Sequence, residues 1–268
     1  MRRASPETGA AAELLSRGFV LLSGPWKTRE AAWSSADEII EEAIGRDRVG
    51  SDMGGLEVVG EFNVPPPGAL RRGFQPLHLD FGLPIASAGL VDVARFTALY
   101  IDRDRPPTGA RTRVAPLAPL LAQRSWAGID TLIERFREYG RASDAGGAPG
   151  YTEGILGRLI EAADGSRTLP SPAGLLCGLE FESLEGERRH FAERGLYLDR
   201  VEVRVRLEPG GLLLLDNLLT AHGREGLRQP RELHQRCIGY RGLRPRRQAR
   251  LVRRVLEAVI ATRNAERM

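Results

Sequence analysis

His78 and Asp80 stand two positions apart in Gln75-Pro76-Leu77-His78-Leu79-Asp80-Phe81-Gly82. On a strand, residues i and i+2 share one face, so both side chains can reach one ion. A third donor, His222, lies far downstream in Asp216-Asn217-Leu218-Leu219-Thr220-Ala221-His222-Gly223-Arg224. Two imidazoles and one carboxylate fill one face of an octahedron and leave three positions open. That donor set suits mononuclear non-haem iron(II) and its oxygen chemistry. A structural zinc site would be closed by four ligands. The His-Glu-x-x-His signature of zinc hydrolases is absent.

Arg236, fourteen positions past His222, adds a second element. A dicarboxylate that chelates iron through one end must place its other carboxylate somewhere buried. A guanidinium receives it as a bidentate, charge-assisted pair. Thr112, in Gly109-Ala110-Arg111-Thr112, offers a hydroxyl to the same group. Each residue also has an ordinary reading. His-x-Asp is common, His222 could be a core histidine bonded to Asp216, and Arg236 could be one surface arginine among many. Thr112 could simply cap the following helix. Order, spacing and strand context together favour the site. His190 reads as a surface residue. His234 alternates with Arg236 and could share the inner face, with a packing role.

The elements that must position these residues follow from periodicity. Gly18-Phe19-Val20-Leu21-Leu22 reads as a buried strand, and Thr28 to Gly45 as a helix with Ala31, Trp33, Ala36, Ile39, Ile40 and Ala43. Residues 46–74, with Pro65-Pro66-Pro67-Gly68, read as a partly irregular loop leading onto the His78 strand. Val93 to Ile101 is a predicted strand and Val114 to Gln123 a predicted helix despite its prolines. Helices over Ile129 to Tyr139 and Thr152 to Ala163 make 113–165 a helical insertion, with a Gly/Ala loop between them. Gly174 to Glu182, Leu198 to Leu207, Gly211 to Leu215 and Gln235 to Arg241 are predicted short strands, a spacing that suggests a sandwich or barrel. An amphipathic helix over 246–267 closes the chain, and the whole reads as one domain.

Composition bounds the function. The 268 residues suffice for one sizeable domain. No apolar run approaches the eighteen or so residues of a membrane span, and the N-terminal stretch does not read as a secretory signal. Cys177 and Cys237 are the only cysteines, so a reducing, cytoplasmic setting is expected. The net charge of +4 is carried by arginine, with Lys27 the sole lysine. That is weak support for a polyanion partner, and nucleic acid is not the expected one.

At this point the pattern resembles the iron(II)/2-oxoglutarate dioxygenases of the taurine dioxygenase and clavaminate synthase-like superfamily. The resemblance rests on His78-x-Asp80, on Asp216-Asn217 ahead of His222-Gly223-Arg224, on Arg231-x-Leu233-x-x-Arg236, and on the Gly-x-x-Thr that ends at Thr112. It spans roughly residues 15 to 245. It implies a mainly β fold with α elements: a double-stranded β-helix, or cupin-like jelly roll, with helices packed outside. It implies His78, Asp80 and His222 as iron ligands, and Arg236 with Thr112 as the 2-oxoglutarate clamp. The arginine offset varies within the superfamily, so Arg231 is a second candidate for the clamp. With dioxygen as the other co-substrate, the implied reaction oxidises a C–H bond while 2-oxoglutarate goes to succinate and carbon dioxide. Asp80 makes hydroxylation the default over halogenation; desaturation and ring closure use the same residues.

The substrate is less legible. Asn63, Arg72 and Gln75 precede the metal strand and are candidate contacts. A small polar metabolite, amino acid-like or a natural-product intermediate, is expected. Two rivals rest on the arginine-rich terminal helix: a non-catalytic basic binding protein, and an oxygenase of the same fold directed at nucleic acid.

Overall fold

The structure, a computed structural model, describes residues 6–24, 26–46, 55–64, 74–78, 84–85, 90–102, 111–123, 183–193, 195–217, 219–225, 233–243 and 261. In chain order the elements are α1 (Pro6–Arg17), β1 (Phe19–Ser23), α2 (Arg29–Arg46), β2 (Glu57–Val64), β3 (Gln75–His78), β4 (Pro84–Ile85), β5 (Leu90–Tyr100), β6 (Thr112–Pro116) and α3 (Leu117–Ala122). After them come α4 (Leu184–Ala192), a 3-10 turn (Leu198–Arg200), β7 (Val203–Val205), β8 (Gly211–Asp216), β9 (Thr220–Arg224) and β10 (Leu233–Leu243).

The strands form two antiparallel sheets. The larger runs β1-β8-β5-β10-β2, with β4 also paired to β5; the smaller runs β3-β9-β6-β7. Leu213 and Leu215 of β8 face inward. They share a core with Leu99 of β5, Leu233 of β10, Val114 of β6 and Val205 of β7, so this core lies between the sheets. Leu212 and Leu214 face the other way. They meet Ala10, Ala11 and Leu14 of α1 and Ala32, Trp33, Ala36, Ile39, Ile40 and Ala43 of α2. Both faces of β8 are therefore covered, which is why its apolar run is continuous rather than alternating. Each of Leu212, Leu213, Leu214 and Leu215 is 0% exposed, a burial that contributes about 1.5–3 kcal/mol per side chain.

The mainly β architecture with packed helices agrees with the sequence reading, and so do β1, α2, β5, β8 and β10. Several elements differ. A strand, β2, lies inside the stretch read as irregular, and it pairs with β10. The predicted helix from Val114 is a strand as far as Pro116 and becomes helical only at Leu117. Leu198 to Leu207 is a 3-10 turn followed by three strand residues, not one long strand. The predicted helices at 129–139 and 152–163 and the strand at 174–182 lie outside the described residues. So does the terminal helix, except Ala261. Cys237 is buried, with its Sγ 4.0 Å from Thr97 Oγ1. Among the described residues no helix is long and apolar enough to cross a membrane.

Candidate metal centre

The chain passes from the large sheet to the small one between β8 and β9. The Asn217 side-chain amide donates to the Ala94 carbonyl at 2.9 Å, and the Asn217 main-chain N–H donates to the Arg95 carbonyl at 2.7 Å. Thr220 Oγ1 donates to the Gly18 carbonyl at 2.9 Å. These bonds set where β9 begins, and so where His222 stands.

β9 pairs with β3, and His78 is the register partner of His222. The two ring centroids are 4.4 Å apart with the planes tilted by 46°. Residues separated by 144 positions thus present two imidazoles side by side. At metal–nitrogen distances of about 2.0–2.1 Å, that separation lets one nitrogen from each ring reach a single ion. Two imidazoles side by side suit a divalent transition metal such as iron(II). Asp80 lies outside the described residues, and among the described residues no group of three His, Cys, Asp or Glu side chains gathers. The Gln75 amide nitrogen is 3.3 Å from His78 Nε2.

A cavity opens beside His222, lined by Gln75, Leu99, Thr112, Gly223, Arg224, Leu233 and Gln235. Both sheets contribute, so it sits between them. Thr112 is the register partner of Arg224 across the β6–β9 pair. The structure therefore brings His78, His222, Thr112 and Gln75 together. Arg224 is 5% exposed, and burial pushes its guanidinium pKa down. It is the one lining residue with a permanent charge among the described residues.

Arg236 does not join this group. On β10, Leu233 and Gln235 line the cavity, and Arg236 takes the opposite face by alternation. Its Nη2 lies 3.2 Å from Asp37 Oδ2, and its guanidinium carbon is 6.0 Å from the Trp33 ring; both partners belong to α2. His234 shares that outer face. Its Nε2 lies 2.8 Å from Asp102 Oδ2, and its ring stacks on Tyr100. Asn63 sits on β2 in register with His234. Arg72 and Arg231 lie outside the described residues. His190 is half-buried on α4, against the Phe191 ring. The sequence reading passed over Arg224, although the spacing logic applied to His78 and Asp80 also applies to His222 and Arg224.

Behind the small sheet lies a buried charge cluster. Arg113 of β6 points away from the cavity and is 0% exposed. Its Nη1 is 2.6 Å from Glu187 Oε2 on α4, and its Nη2 is 2.5 Å from Glu202 Oε2. Burial works to lower the Arg113 pKa, but hydrogen bonding to Glu202 and the charge of Glu187 outweigh it and the net direction is upward. Burial raises the Glu187 carboxyl, against the pull of Arg113. The other Glu187 oxygen accepts the Leu77 main-chain N–H at 2.6 Å.

No protein-family model matches the chain, and no curated protein does. Solved structures resemble it over most of its length. A taurine dioxygenase from Burkholderia xenovorans is 16% identical, with 90% of this chain and 84% of that one covered and a TM-score of 0.43. PvcB from Pseudomonas aeruginosa is 18% identical, with 88% and 82% covered and a TM-score of 0.42. An asparagine oxygenase solved with Fe(II), a hydroxyasparagine and succinate is 16% identical, with 88% and 77% covered and a TM-score of 0.41.

Proposed function

We propose that this chain is a single-domain, non-haem iron(II)/2-oxoglutarate-dependent oxygenase. It oxidises an unactivated C–H bond of a small polar metabolite, amino acid-like or a natural-product intermediate, by hydroxylation. The observation that carries the reading is the cross-strand pairing of His78 with His222, rings 4.4 Å apart, with His222 lining a cavity between two sheets.

His78 and His222 hold the metal, and Asp80, two positions past His78, is the carboxylate ligand. When bound, iron(II) supplies dioxygen activation coupled to decarboxylation of 2-oxoglutarate to succinate. The chain's own residues do the rest. Thr112 and Arg224 receive the far carboxylate of the co-substrate, Arg224 in the role the sequence reading gave to Arg236. Leu99 and Leu233 form an apolar wall that limits water at the reacting centre. Gln75 steadies the His78 ring through its amide.

The test is succinate release from 2-oxoglutarate with ferrous iron and dioxygen, screened over small amino acid-like compounds. Wild-type protein is expected to release succinate, with one compound stimulating it, and Asp80→Ala is expected to release none. Equal release by wild type and Asp80→Ala would contradict the assignment.

A further inference from the structure

Among the described residues the metal strand β3 pairs with β9 alone, at one end of the small sheet. A strand at the end of a sheet is a poor platform for a ligand that must be held to within about half an ångström. Its outward main-chain groups need a partner of another kind. The Leu77 N–H, immediately before His78, finds one in the Glu187 carboxylate.

The same carboxylate grips Arg113, which belongs to β6 on the far side of β9. Glu187 therefore spans the small sheet from β3 to β6, over the strand that carries His222. The residue of β9 opposite Arg113 is Gly223. By alternation its missing side chain would project toward this outer face, away from His222. A glycine there leaves the crossing clear. Glu202 holds the other arm of Arg113, which fixes the guanidinium from both sides.

We propose that Glu187 and Arg113 form a positioning bracket that sets the separation of the two histidine strands and so tunes metal affinity. The proposal rests on the reading of His78 and His222 as ligands. Neither bracket residue touches the metal; both act through β3 and β6.

The test uses full-length protein. Wild type, Glu187→Ala and Glu187→Gln are titrated anaerobically with Co(II), followed by visible absorption, and Leu77 and His78 amide exchange is measured without metal. Glu187→Ala is expected to weaken Co(II) binding about 10- to 100-fold, the range for residues that orient metal ligands, and to speed exchange at both amides. Glu187→Gln still offers an oxygen to the Leu77 N–H and is expected to restore most of both. If Glu187→Ala does not fold, the Arg113→Met/Glu187→Leu double variant replaces the pair with apolar side chains. Glu202 there keeps Arg188 and Arg204 within 3.5 and 3.4 Å. A folded variant lacking the pair, with wild-type Co(II) affinity, spectrum and amide protection, would overturn the bracket. Failure of wild type to bind Co(II) would overturn the metal reading instead, and the exchange rates would then decide the bracket alone.

Discussion

Arg224 stands two residues past His222 on β9, and both side chains line the same cavity between the sheets. On the proposed function this pairing puts a buried cation beside the metal position, which is what a chelating dicarboxylate needs at its free end. Arg224→Met is expected to weaken 2-oxoglutarate binding about a hundredfold or more, since losing one partner of a buried charge pair typically costs ~3–5 kcal/mol. Equilibrium binding of 2-oxoglutarate to the Mn(II) form measures it without turnover. Arg236→Ala is expected to leave that affinity within about twofold. The reverse ranking would return the clamp to Arg236.

Asp37 and Arg236 form the ion pair that holds β10 to α2. Burial raises the Asp37 carboxyl above its ordinary range, Arg236 pulls it down, and Glu41 pushes it up again; the net shift is upward. A carboxyl with a higher pKa in the folded state than in the unfolded state binds its proton more tightly when folded. Its contribution to stability therefore grows as pH falls through the folded pKa and is lost as pH rises through it. Urea unfolding of wild type and Asp37→Asn at about pH 7 and about pH 4 should show wild type gaining relative to the variant on acidification, by at most about 1 kcal/mol for so exposed a pair. A relative loss on acidification would show that the Arg236 attraction outweighs burial.

Gly18 ends the turn between α1 and β1 with φ +79°, and a Cβ there would fall 2.1 Å from Thr220 Oγ1. Two penalties coincide, backbone strain and a clash with the residue that opens β9. Gly18→Ala is expected to lower stability by about 2–4 kcal/mol, combining a left-handed residue with overpacking. Thermal unfolding of Gly18→Ala beside Gly18→Ala/Thr220→Ala measures it. Referred to Thr220→Ala alone, which loses the hydrogen bond to the Gly18 carbonyl, Gly18→Ala should cost less in the double variant than in wild type, because the clash is removed while the strain remains.

Much of the framework was legible because it is local. The continuous run Leu212–Leu215, the helical spacing of Trp33, Ala36, Ile39 and Ile40, and the strand period at His78 each report their own element. The convergence of His78 and His222 was legible from chemistry, since few other reasons place those residue types in that order. What escaped was tertiary. His222 anchors the parity of β9, so the inward face of Arg224 was legible though passed over; the parity of β10, which turns Arg236 outward, had no such anchor. β2 was hidden because Gly54-Gly55 and the proline run on either side of it look like a loop. Val114 to Pro116 shares an apolar stretch with α3, so strand and helix merge in the pattern. Glu187 resembles any surface glutamate on a charged helix; only its meeting with Arg113 and Leu77, 74 and 110 positions away, marks it.

The central claim is that His78 and His222 bind one ion. Pulsed electron paramagnetic resonance of the Mn(II)-loaded protein reads it most directly, because each coordinated imidazole adds its own nitrogen coupling. The account predicts two such couplings in wild type and one in each of His78→Ala and His222→Ala. A wild-type spectrum with no imidazole coupling, or one unchanged by both substitutions, would contradict it.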